Sequence, residues 1–439
     1  MNSDNNRTPS ARLSLVAVLT ASLLAAYGAS APARAADPTP PSLAYPEGVA
    51  ADPVKRGEYL THAADCQPCH TVPGGTPFAG GRAFKIPGGT LYTPNITPDK
   101  QTGIGNWTDD QFIRALQEGL DDHGRHMYPA FPYTSYTGLS RDDILAIKAY
   151  LFSLEPVEKR RPRSDISFPF NQRWLIGAWK TLFFDSKRFQ PDTSKSEEWN
   201  RGAYLAGPLG HCGECHTPRN LAMAVKSSKP LAGGQAEGWV AYNITPDKNS
   251  GIGGWSDEEL IQYLSTGFAQ GKGWANGPMG EAIGASLHHL SEGDHKALVA
   301  WLRTVPPAQG KEQKPRYAWS GDDRSKVGLE TDSATAQGAR LYTFYCAGCH
   351  GSGDDASSPI YSAMSNQSSV GANPPHNVMM VILQGTRRAD NARIFMPSFR
   401  DNFTDEQVAA LTTYISKRFG DPSATVSASD VRDARKQLQ

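Results

Sequence analysis

The chain has 439 residues, of which 39% are hydrophobic and 20% charged, with 42 Gly and 32 Pro. That balance excludes fibrous and long disordered classes, and at about 150 residues per domain it points to about three loop-rich globular units. Lys plus Arg and Asp plus Glu both number 44, so nothing favours nucleic acid or another highly charged partner.

The N-terminus, residues 1–35, reads as a signal peptide. Arg7 and Arg12 precede an apolar run from Leu13 to Ala26, and the small-residue site Ala33-Arg34-Ala35 follows. The run is too short to span a membrane as a helix. The expectation is export, cleavage after Ala35 and a periplasmic mature chain in an oxidising compartment. No later stretch of the sequence reaches transmembrane length.

The first unit, residues 50–155, opens with Gly57 and Tyr59 and then carries Cys66-Gln-Pro-Cys69-His70. In a Cys-x-x-Cys-His pentad, two thiols add to the vinyl groups of haem. The adjacent His turns back to bind the iron from the proximal side. Asn95-Ile-Thr-Pro-Asp-Lys100 follows, then Gly103 to Trp107. A late helix is expected from the capping pair Ser140 and Asp143, with Ile144, Ile147 and Leu151 at helical spacing. Tyr150 on that helix reads as packing where two helices cross.

Residues 156–195 form a connection with the basic run Lys159-Arg160-Arg161-Pro162-Arg163. From Trp174 to Phe184, Leu175, Ala178, Trp179, Leu182 and Phe183 recur at helical spacing. This amphipathic helix has three readings. It packs on its own domains, it lies in a membrane interface beside basic residues that meet anionic lipid, or it docks a partner subunit.

The second unit, 196–305, repeats the first. It carries Gly202, Tyr204, Cys212-Gly-Glu-Cys215-His216, a second Asn243-Ile-Thr-Pro-Asp-Lys248, Gly251 to Trp255, the capping pair Ser291 and Asp294, and Trp301. The first two units are therefore a duplication. A connection over 306–333, Pro-rich at its start, reads as a tether. The third unit, 334–420, shares only the general plan: Gly338, Tyr342, Cys346-Ala-Gly-Cys349-His350, Thr404 with Gln407, and Tyr414. Residues 421–439 read as a C-terminal tail. The expected fold is all-α, three cytochrome c-like haem domains in series with long loops, each haem supplying much of its domain's core.

Chance places one such pentad in a chain of this composition roughly 0.002 times; here three use every cysteine. Paired zinc knuckles do not explain a His after each pair. Disulfides leave the three histidines idle, and a thioredoxin-type redox pair does not occur three times. The expected cofactors are three covalently bound haem c groups.

Methionines are scarce, so the sixth iron ligand is sought by elimination. Met279 follows Gly277-Pro278 in a Gly-rich loop, whereas Met223 lies too near the proximal side. In the third unit Met396, before Pro397, precedes the late helix, while Met379 and Met380 sit in an apolar run that reads as core. In the first unit Met127 is the one candidate methionine. Its rivals are His126, His123 and an open iron position. His62, His211, His288, His289, His295 and His376 read as ordinary solvated or packing residues.

Taken together, the chain resembles the triheme cytochrome c subunit of bacterial membrane-bound periplasmic dehydrogenases for alcohol, gluconate, fructose and aldehyde. The resemblance rests on Pro77-Phe-Ala-Gly-Gly81, Asn95-Ile-Thr-Pro-Asp99, Cys212 to Asn220, Gly277-Pro-Met279 and Met396-Pro-Ser-Phe399. It implies that the chain carries electrons from a catalytic subunit to ubiquinone or another acceptor, at the periplasmic face of the membrane, with no substrate chemistry of its own. Many members place Met after Tyr-Pro-Ala in the first domain. Here Tyr128-Pro-Ala130 is followed by Phe131, which leaves Met127 as the substitute. That Phe, and Asn373-Pro-Pro-His376, resemble cytochromes serving molybdenum-containing dehydrogenases; a quinoprotein is the other class of catalytic partner. The competing class is a self-contained haem enzyme, a peroxidase or sulfur-compound oxidoreductase, working at an open first haem.

Overall fold

The computed structural model describes residues 45, 48–319, 327, 333–351, 362–387 and 395–438. Residues 1–35, expected from the sequence to be a signal peptide, lie outside them. The longer helices are α1 Pro53–Ala63, α2 Asp109–Glu118, α3 Arg141–Ser153, α4 Arg173–Phe183, α5 Glu197–Tyr204 and α6 Asp257–Thr266. They continue with α7 Gly277–Ala285, α8 Glu292–Leu302, α9 Ser333–Tyr345, α10 His376–Gln384, α11 Asp405–Phe419 and α12 Ala428–Gln437. The architecture is helix-rich without being purely helical. Short antiparallel pairings join Ala83–Ile86 to Gly89–Tyr92, the latter to Asp165–Ile166, and Gly234–Ala236 to Trp239–Ala241. These ribbons lie in the long loops, where the sequence carries no strand periodicity long enough to read.

One helix crossing recurs three times. α1 crosses α3, α5 crosses α8, and α9 crosses α11, each time at a glycine. A Cβ at Gly57 would overlap the Ala146 carbonyl and press on Tyr150. At Gly202 it would meet Ala297 and Trp301, and at Gly338 Ala410 and Tyr414. Only a missing side chain lets the backbones approach this closely. The three late aromatics sit at the crossings, as their positions in the sequence imply.

The late helices start at Ser140, Ser291 and Thr404, each of whose hydroxyls accepts an amide three residues on. Only Gln407 returns the second bond of a capping box. Asp143 and Asp294 do otherwise. Asp143 is fully buried and holds Arg56, yet it also accepts the Tyr204 hydroxyl of the second unit at 2.6 Å. Asp294 holds Arg201 through Nε at 2.7 Å and also accepts the Tyr59 hydroxyl of the first unit. The duplicated units thus exchange tyrosines reciprocally. Their cores are continuous: Leu60, Ile144 and Ile147 pack in one cluster with Tyr204, Leu209 and Leu298. His62 stacks on His289 across the same boundary, ring centroids 3.9 Å apart.

The third unit has its own core, centred on Met379, Met380, Leu383, Val408 and Leu411, with Trp239 of the second unit at its edge. It joins that unit mainly through the 234–241 ribbon. His376 meets the Gly238 carbonyl at 2.6 Å, and Asn377 exchanges two bonds with Val240. The segment read as a C-terminal tail forms α12, whose Val431 and Ala434 are buried and whose Arg435 pairs with Asp405 at 2.7 Å.

Candidate haem sites

Each pentad begins on a short turn of helix after the first helix of its unit. Asp65 and His211, the residues before Cys66 and Cys212, adopt left-handed backbone that breaks the helix and turns the chain. None of the six cysteines is joined in a disulfide.

The histidines of the three pentads share one arrangement. His70 Nδ1 lies 2.8 Å from the Pro94 carbonyl, His216 Nδ1 2.6 Å from that of Tyr242, and His350 Nδ1 2.7 Å from that of Ser362. A carbonyl on Nδ1 fixes the tautomer and leaves Nε2 for iron. Burial holds all three rings below the ordinary imidazole pKa, the carbonyl bond acting in the opposite sense. The neutral ring is the form that ligates.

The repeated Asn-Ile-Thr stretches explain themselves here. Asn95 accepts from the Thr97 amide at 2.9 Å and donates to the Val157 carbonyl at 2.7 Å. Asn243 accepts from Thr245 at 2.8 Å and donates to Ala308 at 2.6 Å. Each Asn locks the residue before it, Pro94 or Tyr242, whose carbonyl aims the histidine. The sequence marked these stretches as a repeat. It carried no sign that a main-chain carbonyl was their product.

Cys66, Cys69 and His70 line the same cavity as Cys212, Cys215 and His216. It measures about 1840 Å³, against roughly 300–1,000 Å³ for a pocket holding one drug-sized ligand. Its walls include Ile96, Ile104, Trp107 and Leu116 in the first unit and Ile244, Trp255 and Leu260 in the second. The volume, the mainly apolar walls and the two oriented histidines fit two large planar macrocycles. In the third unit residues 352–361 and 388–394 lie outside the described residues, so its surroundings are described only through His350, Ser362 and Met396.

Met127 and Met279 both line the shared cavity. Met279 stands in the first turn of helix α7, not in a loop as its glycines imply. Met396 pairs in a two-residue ribbon with Thr386 and packs on the third core. Met379 and Met380 are buried in α10, as an apolar run should be. Met223 is about half exposed. His126 does not line the cavity. Its Nδ1 lies 3.1 Å from Lys180 Nζ on α4, and its other face abuts Gly177. His123 is 70% exposed. Phe131 packs on Tyr136 at the cavity wall, ring centroids 5.5 Å apart.

The helix α4 divides the stripe read from the sequence. Leu175, Ile176 and Trp179 turn to the cavity, with Trp179 Nε1 donating to the Ala222 carbonyl at 2.8 Å. Trp174, Ala178, Leu182 and Phe183 remain exposed, and Phe168 is exposed just before them. Among the described residues no helix is long and apolar enough to cross a membrane.

Comparison with known proteins agrees with this geometry. The cytochrome c family matches residues 54–155, and the family of cbb3-type cytochrome c oxidase subunit III matches 333–415. The fructose dehydrogenase cytochrome subunit of Gluconobacter japonicus is 39% identical over 96% of this chain and 89% of its own length. The gluconate 2-dehydrogenase cytochrome c subunit of Pantoea cypripedii is 37% identical over 87% of this chain and 89% of its own. A nicotinate dehydrogenase subunit of Pseudomonas putida is 40% identical over 83% of this chain, which spans 30% of that longer protein.

Proposed function

Because the chain belongs to the cytochrome c subunits of bacterial dehydrogenases, we propose that it is a triheme relay. It takes electrons from a catalytic dehydrogenase subunit and delivers them to a membrane quinone or another respiratory acceptor. Haem c, when bound, supplies one-electron cycling of its iron. The chain's residues attach it, orient the proximal ring and keep water from the iron. The observation that carries this reading is the shared cavity with both pentads on its wall and a carbonyl on each His Nδ1.

Met127, Met279 and Met396 are the proposed sixth ligands. Met127 is preferred over His126 because it lines the cavity while Lys180 and Gly177 engage His126. Thioether ligation favours Fe(II), and a closed iron leaves no room for peroxide or substrate. The exposed Trp174, Ala178, Leu182 and Phe183 are proposed to seat the chain on the periplasmic membrane surface or on its partner. The partner is a molybdenum-containing or quinoprotein subunit in this reading, and the location is periplasmic.

A pyridine haemochrome assay tests the core of the proposal: three covalent haems per chain are expected, and one or two sink it. Met127→Ala should open one site to CO in the reduced protein, and His126→Ala should not. A wild type that already binds one CO per chain reverses the assignment and revives the enzyme reading. Tagged purification from the periplasm identifies the catalytic partner.

A further inference from the structure

The two connections between units are not passive. Arg161, in the basic run of the first, lines the shared cavity and donates to the Tyr92 carbonyl at 2.8 Å. Arg173 and Arg125 line the same wall, and they are the charged groups that act on Arg161. Arg125 is balanced by Asp121 at 2.7 Å. Arg173 is held by the His126 carbonyl at 2.5 Å and lies over the Tyr128 ring. Among the described residues, neither Arg161 nor Arg173 makes an ion pair.

Arg316, in the second connection, lines the cavity beside the other pentad and is 8% exposed. One of its terminal nitrogens donates to the Ser250 carbonyl at 2.6 Å, and its guanidinium lies over the Tyr242 ring at 4.4 Å. It pairs with the partly exposed Glu312 at 3.5 Å, and its buried Nε has no hydrogen-bond partner. Arg316 is a cation brought inside the protein, which is costly unless an anion offsets it, whereas Arg161 lines the cavity as an exposed residue. Each arginine is also tied to the segment whose carbonyl orients a proximal histidine, Tyr92 to Pro94 in one unit and Tyr242 in the other. Haem carries two carboxylates on the edge opposite its thioether bonds.

Resting on the haem reading above, we infer that Arg161 and Arg316 are haem carboxylate clamps, each supplied by the connection that follows its domain. The basic run then serves the cavity through Arg161 and is not wholly a lipid-facing patch. The second connection then contributes Arg316 to a haem site as well as acting as a tether.

The test is a redox titration of the purified full chain between pH 5 and pH 8, with haem content measured alongside. Arg161→Gln and Arg316→Gln should each lower one midpoint potential, because losing a cation favours the more positive ferric state. They should also give that potential a new slope with pH, as the released carboxylates bind a proton on reduction. Arg161→Lys should restore most of both. Three haems per chain with every potential and slope unchanged overturns the inference. If the Gln variants instead alter only the salt dependence of electron transfer from the partner, the arginines face an acidic partner surface, which also overturns it. A wild type lacking a haem overturns the functional reading itself, and so is distinguishable from either result.

Discussion

The first two units and the third solve one packing problem with different polar hardware. All three cross their first and last helices at a glycine under an aromatic. In the duplicated pair, the residue before that glycine is arginine, the residue two after it is tyrosine, and the late helix carries aspartate at its third position. In the third unit the same places hold Gln337, Arg340 and Gln407. The aspartates bind their own arginine and the other unit's tyrosine. Gln407 merely closes a capping box. Three substitutions therefore separate a domain built to pair from one that completes itself and attaches through a ribbon.

Asp294→Ala should give the largest effect on that comparison. It strands Arg201, whose side chain is 3% exposed, and breaking a buried pair costs about 3–5 kcal/mol. Gln407→Ala, at the matching place, should cost roughly 0.3–1.5 kcal/mol. Calorimetry of the two variants checks this, and equal losses would erase the distinction. Next, Tyr204→Phe removes a buried bond to a charged carboxylate, worth about 1.5–3 kcal/mol. The loss should fall on the paired units and leave the third unit's amide-exchange protection as it was. Gly57→Ala and Gly338→Ala force a Cβ into a carbonyl, and overpacking of this kind costs about 1–3 kcal/mol. Similar losses in both would confine the difference between units to their polar residues.

The smallest effect is in pH. Burial first, then His62 and His288, lower the His289 pKa to about 4. Between about pH 6.5 and pH 4 the unfolded chain therefore binds the extra proton, and stability falls as pH falls through that window. His289→Gln should flatten the acid slope of the paired units' transition without touching that of the third. An unchanged slope assigns the acid sensitivity elsewhere.

The late helices were legible in the sequence because a capping residue followed by apolar helical spacing is a local pattern with one structural meaning. The core role of Met379 and Met380 followed from apolar spacing alone. The tyrosine exchange was not legible. Tyr59 and Asp294 are 235 residues apart, and Asp143 and Asp294 carry a capping signature that they fulfil only by half. Nor was the division of α4, since helical spacing marks a stripe but not which residues of it find a neighbour. The carbonyls of Pro94, Tyr242 and Ser362 have no side-chain signature at all. The C-terminal helix was missed because its apolar residues are few, Val431 and Ala434 being its buried contacts.

A chamber common to two pentads also constrains biogenesis. Without its contents, this space would leave much apolar wall either wetted or unsupported, a poor substitute for a packed interior. On the triheme reading proposed above, the cysteines would take up their macrocycles while α1 and α5 are still apart, because the exchanged tyrosines close the boundary between them. Ligation would then precede closure. On that reading, a chain made where the attachment machinery is missing should fail to mature and be cleared by proteases instead of accumulating as an empty shell.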